Sequence, residues 1–526
     1  MAFFLKVILS PPVLFLVVSC IVIYYLVYVR QVQRWKLSNI PVTQPFFLLG
    51  HKHMFKIFSN SAVVPLDYIY RENPDVPLVA FFLTVSPVIL LKDPSLIRKV
   101  YGKSFDKMFA NGFFPPEKEV AYQSIVPISS DRDLWKVGRN SLAASFSTAK
   151  LESSEFGKFK KQVDRLWHHT AKSVQLGQPV NGKEAAHNFI VDSINLHTFG
   201  VDENSWEEKG LLYQLVDSMF GLTYQRLASF FVLTFFPFFQ AFDPLRFMRH
   251  DHIDSVTKFV SKTVQERDQF EIRNDDYIDR LMSLRGKTGS EEAAPTNLDT
   301  NQNPAGLGVK EMVGHTLTWL LAGTDTSSQL CLFATHLLSL HPEYQDRIRA
   351  EVNGVMRKLN TSEITFQVVH QLQLTEYCLL ETSRLYPILP ALMRCCSEDF
   401  QIPGTKYVLR KGDRVIILPY SMHRDPRYFK EPDRFHPERF SPENRHLACL
   451  DMYVSFGTGP RKCPGYKIGV SLAALFIASL LHKYQIRPRS HLKQMDATDF
   501  DPRGFTAQHI GKLLVDLVPI ESPAQN

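Results

Sequence analysis

The sequence around Cys463 contains the residues most able to do chemistry. Residues 456–465 read Phe-Gly-Thr-Gly-Pro-Arg-Lys-Cys-Pro-Gly, and a strongly apolar segment with helical character follows them. The glycines permit the positive φ angles of a tight loop, and Pro464 suits the first position of a helix. We therefore expect Cys463 at the amino end of a buried helix, where the helix dipole and Arg461 favour its thiolate. A lone cysteine is more often a small buried apolar residue, whereas a thiolate held in such a loop is a ligand for iron in a flat macrocycle.

Two earlier patterns also place polar groups at helical spacing. Glu381 and Arg384 are three residues apart and lie on one face of a helix, where the simplest interpretation is a surface ion pair. In residues 322–327, Ala-Gly-Thr-Asp-Thr-Ser, the hydroxyl group of Thr326 is expected to bond back to the carbonyl group four residues earlier. Gly323 weakens the helix, so a local break is expected at this point.

Taken together, these motifs resemble one enzyme superfamily. Residues 456–465 match every fixed position of Phe-x-x-Gly-x-Arg-x-Cys-x-Gly, the haem-binding signature of the cytochrome P-450 superfamily. Residues 135–139 (Trp-x-x-x-Arg), 322–327, 381–384 (Glu-x-x-Arg) and 437–440 (Pro-Glu-Arg-Phe) resemble further motifs of that family, in order. The resemblance covers about residues 35–520, and the sequence is identified as a member of this superfamily, of the animal microsomal type. It implies a mainly α fold with small β-sheets and an N-terminal single-pass membrane anchor.

The resemblance also implies a role for each motif residue. Cys463 would be the metal ligand of haem b (iron protoporphyrin IX), while Thr326 and Asp325 would be the catalytic residues that bind dioxygen and relay protons. A buried triad of Glu381, Arg384 and Arg439 would fix the loop around the thiolate. Arginine suits paired carboxylate oxygens, so the haem propionates would be bound by Trp135 and by the arginines. The implied cofactor-binding residues are Trp135, Arg139, Arg394, Phe456, Arg461 and Gly465.

The reaction implied by the resemblance is insertion of one atom of dioxygen into an apolar organic substrate. That substrate would be a xenobiotic or a lipophilic endogenous compound such as a sterol or a fatty acid. Electrons would come from NADPH through NADPH-cytochrome P-450 reductase, with cytochrome b5 as a further partner. The basic face offered to these acidic partners would consist of Arg132, Lys136, Lys462 and Lys467.

Two alternative functions remain open. One is an isomerase or dehydratase of the same fold that rearranges a peroxide without a reductase, and the other is a non-catalytic haem binder. Because relatives of the first kind often lack the helix threonine, Thr326 and Asp325 count against it, and the complete proton-delivery motif counts against the second.

Several elements must position these motifs. Residues 309–341 are apolar on most faces and predict one long interior helix. Residues 407–409 and 415–418 predict a strand pair turned at Lys411-Gly412-Asp413, and residues 285–307 predict an exposed loop. The phenylalanine-rich residues 230–242 are either a buried core helix or an apolar patch that dips into a membrane. Substrate contacts are expected from residues 105–116, 230–242 and 317–321.

The N-terminal segment has the character of a membrane anchor. Residues 11–29 carry no charge, and Arg30, Arg34 and Lys36 follow directly. A helix of this length nearly crosses the hydrocarbon core of a bilayer, and the positive flank places the rest of the chain on the cytosolic side. A cleaved signal peptide is the alternative. We expect an anchor over residues 1–30, a linker over 31–60 and a catalytic domain over 61–526, in the endoplasmic reticulum membrane.

Composition excludes several classes of protein. The 526 residues are 45% hydrophobic and 21% charged, which excludes a disordered chain. Of the net charge of +7, +6 falls in residues 1–66, so the basic residues indicate a membrane rather than a nucleic acid. The seven cysteines form no ladder of spacings, which indicates a reducing compartment and no disulfide framework. The chain has no Cys-x-x-Cys pair, and this argues against a structural zinc site.

Overall fold

The computed structural model describes most of the chain. The described residues are 51–83, 86–112, 120–145, 156–221, 249–285, 307–489 and 492–520, with scattered positions between 15 and 43 and at 223, 225 and 229. The phenylalanine-rich residues 230–242 and nearly all of the predicted loop at 285–307 lie outside them.

Helices dominate the described residues, as the sequence predicted. The first eight α-helices are α1 Val63–Arg71, α2 Pro94–Ile97, α3 Val120–Gln123, α4 Arg132–Ser145, α5 Phe156–Gln175, α6 Gly182–Phe199, α7 Leu211–Phe220 and α8 His250–Gln269. The next eight are α9 Tyr277–Ser283, α10 Val309–Trp319, α11 Asp325–Leu340, α12 Pro342–Lys358, α13 Phe366–Val369, α14 Gln373–Leu385, α15 Pro419–His423 and α16 Tyr466–Lys483. A π-helix spans Arg98–Lys103, and 3-10 turns lie at Lys52–Phe58, Pro437–Phe440 and Gly459–Arg461.

The long interior helix is present and carries a break. Helices α10 and α11 are joined by a π-helical turn at Leu320–Thr324, which includes Gly323. A π turn interrupts the regular hydrogen-bond ladder of an α-helix and is frequent at functional sites. The predicted local break therefore lies where the glycine weakens the helix.

Three small sheets accompany the helices among the described residues. Their strands are β1 Leu78–Leu83, β2 Ser86–Leu91, β3 Ala110–Asn111, β4 Val180–Asn181, β5 Leu392–Cys395, β6 Phe400–Gln401, β7 Val408–Leu409, β8 Arg414–Ile417, β9 Tyr484–Pro488 and β10 Leu514–Pro519. The five-stranded sheet has the order β1-β2-β8-β5-β3, and the others have the orders β4-β10-β9 and β6-β7. Only the β2–β8 pair is parallel in these sheets.

The predicted strand pair at 407–409 and 415–418 is wrong in its pairing. Both strands exist, but β7 pairs with β6, and β8 pairs with β2 and β5. The amide of Gly412 donates to the carbonyl group of Cys396, and the amide of Cys396 donates to the carbonyl group of Asp413. The turn around Gly412 is therefore bonded to Cys396, the residue that follows β5, and not to a hairpin partner strand.

Part of the segment predicted as a linker packs on the five-stranded sheet. Trp35 and Ile40 are buried within the core cluster formed by this sheet. Val42 makes a parallel bridge to Ala80, and Arg34 lies 2.7 Å from Asp413. These contacts fix where the chain enters the domain.

One described stretch, Gly459–Lys483, is long and apolar enough to cross a membrane. Two thirds of that window, 67%, is buried inside the protein, so α16 is a core helix. Most of residues 1–30 lie outside the described positions, and the N-terminal anchor stays a prediction. The described positions from 15 to 26 are helical, and six of their large apolar side chains are exposed: Phe15, Val18, Ile21, Val22, Tyr25 and Leu26.

Candidate functional site

The loop that carries Cys463 is closed by its own backbone. The amide of Cys463 donates to the carbonyl oxygen of Phe456 over 2.8 Å, and the amide of Gly457 donates to Val454 over 2.9 Å. Gly457 and Gly459 have φ angles of 77° and 69°, the left-handed conformation that the sequence predicted for this loop. Helix α16 begins three residues after Cys463, so the cysteine lies at the amino end of a core helix.

Gly459 is required by a close approach as well as by its φ angle. A Cβ atom added there would overlap the carbonyl oxygen of Tyr101 in the neighbouring π-helix. The Tyr101 hydroxyl in turn donates to the carbonyl group of Leu392 over 2.7 Å. The loop is thereby seated against the five-stranded sheet through one aromatic residue.

The predicted triad is brought together and is fully buried. Arg384 donates to both oxygens of Glu381, over 2.7 and 2.9 Å, and Arg439 lies 3.4 Å from the same carboxylate. All three side chains are 0% exposed, which rules out the simple surface ion pair. Their remaining guanidinium groups donate to backbone carbonyls at 423, 430–432, 434 and 447. A buried ion pair needs such extra hydrogen bonds to offset its desolvation.

His423 transmits the position of the triad to the cysteine loop. Arg384 donates to the carbonyl oxygen of His423 over 2.7 Å. The amide of Val454 donates to Nε2 of His423 over 3.0 Å, so Nδ1 carries the proton and donates to the carbonyl oxygen of Arg384. Burial and the nearby Arg384 lower the pKa of His423 to about 3, which keeps the ring neutral. The sequence analysis assigned no role to this residue.

Three arginines converge beside the loop without an acidic partner among the described residues. The Arg461 guanidinium lies 4.2 Å from the ring centre of Phe109 and 5.3 Å from that of Trp135, and it donates to the carbonyl group of Ser129 over 2.6 Å. Burial and the nearby charges of Arg394 and Arg139 lower the pKa of Arg461 to about 9. Its Nε atom is buried and has no hydrogen-bond partner in the described part of the chain.

This cluster fits a ligand with carboxylate groups. Arg139 donates to the carbonyl oxygen of Lys462, and Arg394 donates to that of Met393 over 2.9 Å, so both also contact neutral groups. Burying cations without counter-charges is costly, and a doubly acidic ligand would remove that cost. The arginines predicted to bind the propionates therefore lie together.

The thiol of Cys463 is accessible although protein surrounds it. The Cys463 side chain is exposed, yet the surrounding protein raises the pKa of its thiol by burial. The exposed side of the sulfur therefore faces a recess inside the domain. The amides of Gly465 and Tyr466 and the charges of Arg139 and Lys462 oppose that rise. Burial outweighs the groups that favour the thiolate, and Arg461 lies over aromatic rings rather than at the sulfur. A cation bound at the sulfur would supply the missing stabilisation.

Thr326 lies on an accessible stripe of the interior helix. Its hydroxyl donates to the carbonyl oxygen of Ala322 over 2.6 Å, as the sequence predicted. Ala322, Gly323 and Thr326 are partly accessible, whereas their neighbours from 324 to 339 are otherwise buried. The Oγ atom of the adjacent Ser327 lies 3.4 Å from a Cβ atom built at Gly469, near the start of α16. Helix α11 therefore packs against the start of the helix that follows Cys463.

Asp325 is held by side chains that the sequence analysis missed. The hydroxyl of Thr506 donates to its Oδ2 over 2.7 Å, and the amide groups of Gln508 and Gln329 approach its Oδ1 at 3.2 and 3.4 Å. Burial raises the pKa of Asp325, while the Thr506 and Gln329 donors and the charge of Lys183 lower it. In the described part of the chain no hydrogen bond joins the side chains of Asp325 and Thr326. The two predicted catalytic residues therefore point to different surroundings.

The predicted substrate segments are only partly described. Phe105 and Phe109 pack against Trp135, the first tilted and the second edge-on, with ring centres 5.6 and 5.4 Å away. Leu317 and Leu320 are fully buried, and Leu321 is nearly so. Residues 113–119 and 230–242 lie outside the described residues.

Comparison with known proteins supplies independent findings. A family model described as Cytochrome P450 matches residues 41–509. Cytochrome P450 6k1 of Blattella germanica is 26% identical over 490 residues, which cover 90% of this chain and 91% of that protein. Probable cytochrome P450 6a21 of Drosophila melanogaster is 27% identical over 462 residues, 86% and 88% of the two chains. Cytochrome P450 6B7 of Helicoverpa armigera is 25% identical over 512 residues, 95% and 96% of the two chains.

Proposed function

Since the chain belongs to the cytochrome P450 family, and is therefore a haem-binding monooxygenase, we propose that it oxidises an apolar organic substrate with electrons from NADPH. The electrons pass through NADPH-cytochrome P-450 reductase, and cytochrome b5 is a second donor. The substrate is a xenobiotic or a lipophilic endogenous compound such as a sterol or a fatty acid.

One observation carries this proposal at the level of residues. An accessible cysteine in an otherwise enclosed recess lies beside three arginines that have no acidic partner among the described residues. A dianionic haem b satisfies both features, because its iron takes a thiolate and its two propionates take guanidinium groups. Haem supplies the activation of dioxygen, and Cys463 is the residue that holds its iron.

The polypeptide contributes positioning and proton handling. Arg139, Arg394 and Arg461 hold the propionates, and Trp135 covers the Arg461 guanidinium. The triad and His423 keep the cysteine loop in place by the hydrogen bonds described above. The Thr326 hydroxyl donates a hydrogen bond to the carbonyl oxygen of Ala322. The Thr326 oxygen can therefore still accept a hydrogen bond from a donor within the recess. Asp325, whose pKa burial raises, supplies a carboxyl group one residue away.

The electron donor docks on the basic face beside the loop. Lys136, Lys462 and Lys467 are exposed there, and cations on that surface attract an acidic partner. Arg132 contributes less than expected, because it lies 3.0 Å from the exposed carboxylate of Asp106.

The protein resides in the endoplasmic reticulum membrane, with one N-terminal span and the catalytic domain in the cytosol. The uncharged residues 11–29, their basic flank and the exposed apolar side chains at positions 15–26 support this location. We expect a protein that lacks residues 1–30 to associate with membranes more weakly than the full-length protein in a flotation assay.

The ligand assignment is tested with Cys463→Ala. This variant should lose the red-shifted Soret band of the reduced carbonyl adduct, since Cys463 is the one exposed cysteine among the described residues. The control is Cys449→Ala, which removes a partly accessible thiol elsewhere and should retain the band. A Cys463→Ala protein that retains the band would overturn the assignment.

The reaction class is tested by oxygen consumption. With reductase present, NADPH-dependent uptake of oxygen and an oxygenated product are expected from a panel of apolar compounds. Turnover of a hydroperoxide without reductase, and no turnover with it, would favour the isomerase or dehydratase instead. A haem-loaded chain inactive in both assays would favour a non-catalytic binder.

A further inference from the structure

A second group of ligating side chains lies at the start of the domain, away from Cys463. His51 and His53 flank the first residue of the 3-10 turn at Lys52–Phe58, and Glu72 is the residue that ends helix α1. One ligand atom from each of these three side chains lies within 4.8 Å of the other two. They come from two separate elements, so the group is created by the fold rather than by adjacency in sequence.

The carboxylate of Glu72 is the centre of the group. Its Oε1 lies 2.8 Å from Nε2 of His53, and its Oε2 lies 3.3 Å from Nε2 of His51. Tetrahedral Zn²⁺ with bond lengths of about 2.0–2.1 Å requires ligand atoms roughly 3.3 Å apart. Small side-chain rotations therefore bring the three ligand atoms to that spacing.

Two imidazoles and one carboxylate form a ligand set suited to zinc. Zn²⁺ binds imidazole nitrogen and carboxylate oxygen, and three protein ligands leave a fourth position for water. Ca²⁺ and Mg²⁺ prefer oxygen ligands alone. The absence of Cys-x-x-Cys pairs argued against structural zinc, but that argument concerns thiolate ligands and does not reach this histidine and glutamate set.

His51 is fixed in place by burial and by its backbone, and zinc binding at Nε2 requires a change of ring tautomer. Its side chain is only 2% exposed, and its backbone amide donates to the carbonyl group of Phe82 over 2.9 Å, which fixes it to β1. The amide of His53 donates to Nδ1 of His51 over 3.3 Å, so in the neutral ring Nε2 carries the proton that faces Glu72. Metal ions bind the neutral form of histidine. The rings of His51 and His53 are 5.2 Å apart.

One cation already approaches the same carboxylate. Nζ of Lys52 lies 2.6 Å from Oε1 of Glu72. The Lys52 side chain is 62% exposed, and an exposed ion pair of this kind is weak. Zn²⁺ can therefore displace Lys52 into solvent, where its charge is fully hydrated.

We propose that His51, His53 and Glu72 form a Zn²⁺ site with one open position for water. The bound ion joins the chain segment that enters the domain to the end of α1 and, through His51, to β1. Zinc binding therefore stabilises this entry region. The proposal does not depend on haem or on the reaction.

The test is a Zn²⁺ titration of the haem-loaded full-length protein after removal of metals with a chelator. A competing fluorescent indicator reports stoichiometry and affinity, and the zinc-edge X-ray absorption spectrum reports the ligand atoms. We expect one ion per chain with nitrogen and oxygen ligands only, and a rise in the unfolding temperature when zinc is present.

Two substitutions identify the ligands. His53→Ala and Glu72→Gln lie near the surface and should each weaken binding by at least about tenfold, with an unchanged Soret spectrum as evidence of folding. The matched control is His168→Ala, which removes an exposed histidine that also neighbours another histidine ring, His169, and should leave the affinity unchanged.

The proposal is overturned by any of three results. These are no stoichiometric binding, sulfur in the zinc coordination shell, or an affinity that His53→Ala and Glu72→Gln leave unaltered.

Discussion

The carboxyl group of Asp325 is held by side chains that lie far along the chain. Thr506 and Gln508 donate to it across 181 and 183 residues, and both are buried. A buried carboxylate depends on such donors, because each hydrogen bond to a charged group stabilises it by about 1.5–3 kcal/mol. The donors therefore set how easily Asp325 gives up a proton.

Replacing Thr506 by valine removes one donor at nearly constant volume. The pKa of Asp325 should rise further, since the Thr506 hydroxyl lowers it. We expect the acidic limb of the pH profile, measured as product formed per NADPH consumed, to move to higher pH.

Thr335→Val is the control for that experiment. It removes a buried hydroxyl that bonds to the carbonyl group of Cys331 in the same helix and does not touch Asp325. If both variants keep the parent pH profile, the Thr506 contact has no part in proton delivery.

Gly459 gives a second prediction for a single residue. Gly459→Ala places a methyl group against the backbone of Tyr101 at a φ of 69°, so the cysteine loop must shift. We expect the haem-to-protein ratio to fall and the unfolding temperature to drop, measured by the pyridine haemochrome assay and by thermal unfolding.

Gly177→Ala separates backbone strain from overlap. Its φ is 61°, and an added Cβ meets nothing within 4 Å, so only a strain of about 1 kcal/mol is expected and haem content should not change. Equal behaviour of the two variants would contradict the seating of the loop on Tyr101.

Contacts within one helix could be predicted from sequence, and contacts between distant segments could not. The bond from Thr326 to Ala322 follows from helix geometry, because position i−4 is fixed by the helix itself. The bond from Thr506 to Asp325 has no periodic signal in the sequence. Likewise, the two hydrogen-bond partners of the His423 ring are known only from the fold.

At the level of elements, helix α14 connects the interior to the cysteine loop. The Glu381 carboxylate pairs with Arg384 and Arg439, and all three side chains are fully buried. Each arginine also donates to backbone carbonyls of the segment before the cysteine loop. Removing the charge of Glu381 therefore leaves two buried arginines without a counter-charge.

Glu381→Gln should destabilise the protein by about 3–5 kcal/mol, the usual result of breaking a buried ion pair from one side. Urea unfolding of the haem-bound protein measures this, and the same variant should bind haem more weakly. The control is Glu363→Gln, which removes the exposed partner of Lys160 and should have little measurable effect. A Glu381→Gln protein as stable as the control would show that the triad is not structural.

Strand pairing shows why element identity is easier to predict than element partners. The strands β7 and β8 were expected to pair with each other, yet β7 pairs with β6, and β8 pairs with β2 and β5. A turn residue such as Gly412 indicates that the chain reverses, but the choice of partner depends on which strand edges are free. The π turn at Leu320–Thr324 was predictable because Gly323 marks it locally.

For the whole molecule, buried histidines dominate the expected response to acid. Burial lowers the pKa of four of them to about 4 and of one to about 3: His51, His187, His315, His336 and His423. In the unfolded chain these rings titrate near 6.5. Between pH 6.5 and 4 the unfolded state therefore binds more protons, and the free energy of unfolding must fall as the pH falls. Burial raises the pKa of Asp192 to about 6, so the folded state binds a proton there before the unfolded state does. This contribution opposes part of the fall in the free energy of unfolding.

The unfolding temperature of the haem-bound protein should consequently be lower at pH 5 than at pH 7.5, by more than about 5 °C. Thermal unfolding followed by circular dichroism measures it. His168→Ala, which removes an exposed ring, should leave the difference unchanged. A protein equally or more stable at pH 5 would contradict the neutral state of these histidines.

Family membership and the mainly helical architecture were predictable for the whole chain, because the motifs are local and their order is fixed. The neutral, buried histidines were not, since the same residue type serves as a surface group at His168 and as a core group at His315. Burial, which depends on every packed neighbour, decides between the two.

The clamp on Asp325 has a consequence for protein synthesis. A ribosome adds about 5–20 residues per second, so roughly 10–40 s pass between the appearance of Asp325 and that of Gln508. Throughout that interval the nascent helix carries an acidic group whose later partners have not yet been made. Closure of the domain centre must therefore wait for translation to reach the 506–508 segment, and a pause before it would prolong exposure of the unfinished interior.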